Sequence, residues 1–392
     1  MRVVVLDPSC TTWTYTHYLC ECLVAQGHEV FLVASQFLYL ESVATGSYHK
    51  VDHFYNRTMS LYGGRPRGFS RRYVKGAEHI VDMLRLPKLL ESIEPDVIHY
   101  QQAPIPLVDR WFLARLARIA PLVSTVHNTE PFHGDASRLQ LWGFASFLAR
   151  FDHLIAHTQY SLQRLEQLGM SPDRISVIRG GQFDHYTALA EPGPRGTPAD
   201  DLDCEHRVLF FGALSLYKGL DILIRAFALL PAATLGKTRL MICGNPQMPM
   251  ASIMALAREV GVHHRIDWDM QFIPEEQIHG IFARATVLAL PYRHIDDSGV
   301  LAMIPQYRIP IVASRIGGFA EMLEDGVHGH VVEPEDPAAF AAALDDILSD
   351  PQKIQDMGDA VGHLADEWIS WEEVARRTTR VYEDLKSSTS LS

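Results

Sequence analysis

Cysteine is scarce in this 392-residue sequence: Cys10, Cys20, Cys22, Cys204 and Cys243 form no CxxC pair. An odd, irregularly spaced set excludes a disulfide framework and a zinc ribbon, and it fits a reducing compartment. No run approaches the roughly 18 apolar residues that cross a bilayer. The opening MRVVVLDPS holds only four apolar residues in a row, Val3 to Leu6, which is a strand and not the apolar region of a signal peptide. The expectation is a cytoplasmic protein, at most peripheral at the inner membrane face. A basic excess is also missing: the formal net charge of −12 argues against nucleic acid as a partner. There is no Walker loop, and no Gly-x-Gly-x-x-Gly follows the first strand of either half, which disfavours a dehydrogenase. His153 and His157 are four apart but lie in a strand-like segment, LIAHT, so they form no helical metal pair. Asp267-Trp268-Asp269 is a DxD at a strand end and reads as structural.

What the sequence does have is alternation. Short apolar runs recur at Val3–Leu6, Val30–Ala34, Val97–Tyr100, Leu122–His127, Leu154–His157 and Ile175–Ile178. A second series follows at Val208–Gly212, Leu240–Cys243, Val287–Leu290, Ile311–Ser314 and His330–Val332. Uninterrupted apolar runs of this length suit strands covered on both faces. Helix-length segments separate them, such as Tyr15–Gln26, which Gly27 stops. The predicted fold class is α/β, two doubly wound Rossmann-like domains. The stretch 186–206 is rich in Pro, Gly and Asp with no apolar period, and reads as a linker. Residues 1–185 then form one domain and 207–367 a second. A C-terminal helix over 368–385 returns to the first domain, and the last residues, KSSTSLS, fray.

Ligands of open α/β sheets bind at the carboxyl ends of the strands. The second half opens RVLFFG, and Lys218-Gly219 stands at the start of a helix, LDILIRAFALL. Gly212 permits a close turn, and an ammonium beside free helix N–H groups suits a diphosphate. The alternative is a solvated surface lysine. Farther on, Asp297, Ser298, Gly299 and Val300 precede or start a helix, where small residues let backbone N–H groups approach a phosphate or sugar. Ile316-Gly317-Gly318 lies at the end of the next strand, with Glu321 taken to cap or fix that turn.

These segments, in this order, resemble family-4 glycosyltransferases of the GT-B fold. The resemblance is carried by FFGALSLYKGLD, by PYRHIDDSGVL and by PIVASRIGGFAEMLEDGVHG, together with PDVIH and the Thr125–Thr129 turn. It implies a metal-independent, retaining hexosyltransferase that moves a sugar from a GDP-, UDP- or dTDP-linked donor to a glycan, lipid-linked or small-molecule acceptor, with no further cofactor. It implies that the nucleotide sits on the C-terminal half and the acceptor on the N-terminal half, in a cleft that closes around substrate. Lys218 falls on the diphosphate-binding lysine, and Gly212, Asp297, Ser298, Gly299 and Val300 on the donor loops. Phe272 and Ile273 fall on the segment near the base. His127 falls on the histidine near the reacting sugar, where it would donate a hydrogen bond. Ser9, Thr11 and Asn128 complete the acceptor side.

The pattern also has gaps. Ala213 replaces the arginine that usually follows Gly212, and Ser215 has no basic neighbour. Of two family glutamates eight apart, the first falls on Ile295 or Asp296 and the second on Met303 or Ile304, so the second is missing. The first strand ends in Pro8-Ser9-Cys10-Thr11-Thr12 and not a double glycine. A nucleotide-sugar epimerase of the same fold and a catalytically silent partner protein are therefore the alternatives. Arg65, Arg67, Arg71, Arg72 and Lys75, with Tyr62, Phe69 and Tyr73 among them, read as a solvated face or as a docking patch for anionic lipid. Leu139–Phe151, with Trp142, Phe144 and Phe147, reads as a buried helix.

Overall fold

Each half of the chain builds one wholly parallel sheet. The computed structural model describes residues 1–10, 12–36, 46–62, 69–130, 138–183, 204–367 and 369–389. The first sheet contains β1 (Arg2–Asp7), β2 (Glu29–Ser35), β3 (His49–Phe54), β4 (Val97–Tyr100), β5 (Leu122–Val126), β6 (His153–Ala156) and β7 (Ile175–Val177), in the order β3-β2-β1-β4-β5-β6-β7. The second contains β8 (His206–Phe211), β9 (Thr238–Cys243), β10 (Ile266–Asp269), β11 (Val287–Leu290), β12 (Ile311–Ser314) and β13 (Gly329–Val332), in the order β10-β9-β8-β11-β12-β13. Both are doubly wound, as the apolar runs predicted. Val3 to Leu6, Val97, Ile98, Val208 and Leu209 are almost wholly buried because helices cover both faces of each sheet.

The strand that carried no signal was β3. Its sequence, HKVDHF, is polar and mostly exposed, since it lies at the sheet edge and pairs only with β2 among the described residues. An edge strand needs no apolar run.

The chain divides into two compact units, Met1–Gly181 with Ile369–Ser392, and Gln182–Trp368. Most of the linker expected over 186–206 lies outside the described residues, and β8 already begins at His206. The C-terminal helix runs Trp371–Thr389, later at both ends than expected. Its start is set by Ser370, whose hydroxyl accepts from the Glu373 N–H at 3.2 Å. Its last turns stay helical past Leu385, where Lys386 pairs with Asp96 at 2.7 Å. Tyr382 and Trp371 on this helix are buried in the first unit, Trp371 stacked on Tyr18 with centroids 5.1 Å apart.

In a doubly wound sheet the crossovers leave a crevice where the strand order reverses. In the first unit that point lies between the carboxyl ends of β1 and β4, and in the second between β8 and β11.

Candidate active site

At the β8–β11 switch point the chain leaves β8 through Gly212, turns, and enters the helix Leu220–Ala228 by a short 3-10 turn, Leu216–Lys218. Gly212 has φ +105° and Gly219 φ +68°, both left-handed conformations that favour glycine. Space demands glycine at 219 as well, because a Cβ there would fall 2.0 Å from the Pro291 carbonyl oxygen. The helix buries Leu220, Ile222, Leu223, Ile224 and Phe227, so its packing fixes where the turn points.

Lys218 points inward. It is 7% exposed, and among the described residues its ammonium has no hydrogen bond and no ion pair. Its recorded neighbour is the Tyr292 ring, 5.2 Å from Nζ to centroid. Burial without a counter-charge pulls the ammonium down to about 8. This is not a solvated surface lysine. It is a desolvated cation facing Gly212 and, through the same turn, Val300: a Cβ on Gly212 would stand 2.7 Å from Lys218 Nζ and 3.8 Å from Val300 Cγ2.

The loop after β11 supplies the second wall. Asp296 and Ser298 are buried. The Ser298 N–H donates to Asp297 Oδ1 at 2.8 Å, so of the expected donors it is already engaged. Gly299 and Val300 open the short helix Gly299–Met303, whose first N–H groups have no intrahelical acceptor. The Gly317-Gly318 turn has a packing job. A Cβ on Gly317 would fall 1.6 Å from the Ile295 carbonyl oxygen, and Gly318 N–H donates to Asp296 O at 3.1 Å. The turn therefore seats the 295–297 loop. Glu321 is exposed and fifth in the six-residue helix Gly317–Met322, so it does not stand at the helix start. Met303 and Ile304, where a second family glutamate was sought, are buried in the apolar core. Phe272 is half exposed beyond β10, whereas the Ile273 side chain is buried. The Asp267 carboxylate of the DxD pairs with Arg239 on β9.

In the first unit, His127 follows β5 and its ring is held from both sides. Nδ1 lies 3.1 Å from His157 Nε2, and Nε2 lies 2.9 Å from the Gln101 side-chain amide. His157 Nδ1 faces the Ile178 carbonyl at 2.9 Å and must carry the proton. The tautomer with its proton on Nδ1 alone accepts at Nε2, so His127 then donates from Nδ1 and its own Nε2 is an acceptor. As placed, the Gln101 amide turns its oxygen to His127 Nε2, and exchanging its oxygen and nitrogen completes this arrangement. Burial holds His127 well below the usual histidine range, and the neighbouring His157 and His99 add to the effect. In that arrangement His127 donates inward to His157. His99 continues the network, 2.6 Å from the Tyr382 hydroxyl and 2.7 Å from Thr125 Oγ1.

Of the other acceptor-side residues, Thr11 lies outside the described residues. Asn128 Oδ1 accepts from the Glu130 N–H at 3.0 Å and shapes its own turn. Ser9 hydrogen-bonds the Tyr55 hydroxyl, which is also 2.9 Å from His79 Nδ1. His79 is paired in turn with the buried Asp109. Lys75 belongs here and not to an outward patch: its ammonium sits 4.3 Å over the Tyr55 ring, with its affinity for protons lowered by burial and by Arg71. Arg65 and Arg67, and the Arg72 side chain, lie outside the described residues. Phe144, Phe147 and Phe151 are buried as expected, but Trp142 is 54% exposed, its ring on the Arg110 guanidinium at 4.1 Å.

Arg293, Tyr55, His79, Gln101, His157 and Tyr382 had no role readable from the sequence. Arg293 stood inside a quoted motif, PYR. The others carry no local pattern, because their partners are 20 to 280 residues away in sequence.

The chain is similar to known proteins along most of its length. The profile described as Glycosyltransferase Family 4 matches residues 12–181, and that described as Glycosyl transferases group 1 matches residues 203–362. The D-inositol 3-phosphate glycosyltransferase of Corynebacterium efficiens is 31% identical over 318 residues, covering 76% of this chain and 73% of that protein. Its counterpart in Acidothermus cellulolyticus is 29% identical over 332 residues, 77% of this chain and 70% of that protein. Among solved structures, sucrose-phosphate synthase from Thermosynechococcus elongatus superposes with a TM-score of 0.77 at 17% identity, over 99% of this chain and 100% of that one. Anabaena HepE in complex with UDP-glucose superposes with a TM-score of 0.70 at 17% identity, over 98% of this chain and 100% of that one.

Proposed function

Because the chain belongs to glycosyltransferase family 4, we propose that it transfers a sugar from a nucleotide-sugar donor to a small polar acceptor, with Lys218 at the donor's diphosphate. The observation that carries this reading is the Lys218 ammonium itself, buried at a topological switch point with no anion beside it among the described residues. A fold keeps such a group at a cost in stability, and a bound diphosphate offsets that cost.

The chemistry follows from charge. As the glycosidic bond to the diphosphate breaks, negative charge grows on the leaving oxygens, and a fixed cation stabilises that change more than it stabilises the ground state. One preorganised donor of this kind is worth about 3–4 kcal/mol. With retention, the departing diphosphate oxygen takes the acceptor's proton, and no protein base is needed. The amides of Gly299 and Val300 are the remaining donors for phosphate oxygens. Uridine diphosphate is the first nucleotide to test, since HepE has been solved with UDP and UDP-glucose.

On the acceptor side, the charges beside Tyr55 favour an anionic polyol or sugar. Lys75 and Arg71 lie by Tyr55, beyond the carboxyl end of β1, and relatives named D-inositol 3-phosphate glycosyltransferase take a phosphorylated cyclitol by name. The test is a panel of UDP-, GDP- and dTDP-sugars, each with phosphorylated and unphosphorylated acceptors, scored for thermal shift and nucleotide release. Transfer from one donor, lost by about 10²–10³ in Lys218→Ala, is the expected result. Donor isomerisation without acceptor would instead identify an epimerase, and no shift with any nucleotide sugar would sink the reading.

A further inference from the structure

We infer that Arg293 is a positioning residue, which holds the turn carrying Lys218 so that the ammonium stays aimed at the donor's diphosphate. The inference rests on the reading of Lys218 given above and concerns what keeps that side chain in place.

Three consecutive residues at the end of β11 wrap the lysine turn. The Pro291 carbonyl presses against Gly219, leaving no room for a Cβ. Tyr292 puts its ring beside the Lys218 ammonium. Arg293 then reaches around the outside. Its backbone N–H donates to Tyr217 O at 2.7 Å, and Nη1 donates to Leu216 O at 2.8 Å. Nη1 and Nη2 grip the Asp221 carboxylate at 2.9 and 2.8 Å, and Nε donates to Glu335 at 2.8 Å. Asp221 lies in the first turn of the helix that follows Lys218. One side chain thus fixes both the 3-10 turn before the lysine and the helix after it, across the switch point.

The need for a clamp follows from the burial of an unpaired cation. A buried ammonium regains hydration if its turn swings outward, and Leu216, which opens the 3-10 turn, is 57% exposed. The Arg293–Asp221 contact is bidentate and only about a quarter to a third exposed on each side, which gives it the geometric specificity an exposed pair lacks. It also settles what Arg293 is not. Four of its five guanidinium N–H groups are engaged with protein acceptors, so it does not replace the diphosphate arginine absent at Ala213.

The test is a double-mutant cycle with Arg293→Met and Lys218→Ala, read as kcat/KM for the donor, KM for the acceptor, UDP affinity and thermal midpoint. Arg293→Met is expected to lower donor kcat/KM and UDP affinity by about 10- to 100-fold, the loss a small misplacement causes. Acceptor KM should stay within about twofold, because only the donor's cation has moved. Arg293→Lys should remain impaired, since an ammonium cannot make the forked contact. The double variant should be no worse than Lys218→Ala alone, because a clamp has nothing to hold once the lysine is gone. Additive losses would mean that Arg293 acts independently of Lys218, and an unchanged donor kcat/KM in Arg293→Met would mean that it positions nothing; either overturns the inference. A harmless Lys218→Ala would instead overturn the phosphate assignment, a different failure. Should Arg293→Met fold poorly, Asp221→Asn, which removes only the partner's charge, is read in the same cycle with the same outcomes.

Discussion

Gly212 leaves the space that the Lys218 ammonium occupies: a Cβ at position 212 would stand 2.7 Å from Nζ. The residue that lets β8 turn and the residue that brings the charge are therefore one device, although six positions separate them. Gly212 N–H donates to Cys243 O at 3.0 Å, and a Cβ on Gly244 would fall 1.8 Å from Gly212 O, so the turn cannot retreat toward β9.

Gly212→Ala should consequently be damaging on two counts. The backbone φ of +105° strains any side chain, and the new methyl displaces the lysine. The expected stability loss is about 1–3 kcal/mol, with UDP affinity falling further than stability alone accounts for. Chemical denaturation and calorimetric titration with UDP check the two parts. Full nucleotide affinity in a folded Gly212→Ala protein would show that the lysine has room to spare.

Donor affinity should weaken at alkaline pH. The ammonium loses its proton near 8, so above that pH a growing share of the protein lacks the cation. Affinity for UDP is expected to fall about tenfold per pH unit beyond that point, and binding near pH 8–9 should take up protons as the diphosphate pulls the lysine back to its charged form. Titration in buffers of different ionisation enthalpy measures the uptake. A dissociation constant that stays flat to pH 9.5 would assign the phosphate to some other group.

Stability should move the opposite way. In the folded protein Lys218 holds its proton less tightly than in the unfolded chain, about 8 against 10.5. The unfolded state therefore binds more protons between those values, and this group's penalty on folding is full below pH 8 and relieved as pH rises to 10.5. Lys218→Met removes the penalty. Below pH 8 it should stabilise the unliganded protein by up to about 3 kcal/mol, while lowering turnover by about 10²–10³. The gain should shrink above pH 9, and a destabilised Lys218→Met would show that the lysine has a partner in solution.

The fold was legible because parallel strands covered on both faces must be apolar runs, and β1, β4, β8, β11 and β12 are such runs. β3 escaped because an edge strand has no such obligation. At the site, Gly212 and Lys218 were readable since a glycine turn and a lysine at a helix start leave a local pattern. Arg293 was present in the motif but unreadable in role, because its partners Leu216, Tyr217 and Asp221 lie more than 70 positions upstream. The packing role of Gly317 was unreadable for the same kind of reason. A glycine that makes room for a crossing carbonyl looks, in sequence, like a glycine that makes room for a ligand.

The histidine network yields the last prediction, and it concerns protons that the fold itself assigns. His157 must keep its proton on Nδ1 to satisfy the Ile178 carbonyl, which makes its Nε2 the acceptor for His127 Nδ1–H. His99 is pushed down to about 3 by burial, with His157 adding to the effect, and His127 is pushed well down by burial and by both neighbours. Both His99 and His127 should therefore stay neutral from pH 5 to 8, with His127 as the Nδ1–H tautomer. Ring nitrogen chemical shifts in selectively labelled protein report both properties. The same assignment gives His127 Nε2 to the Gln101 amide, so Gln101→Glu, which can only accept when ionised, should raise the proton affinity of His127 and bring its titration toward the ordinary histidine range. If His127 already titrates near 6.5 in the unaltered protein, its ring is not the buried, inward-donating group that these contacts describe.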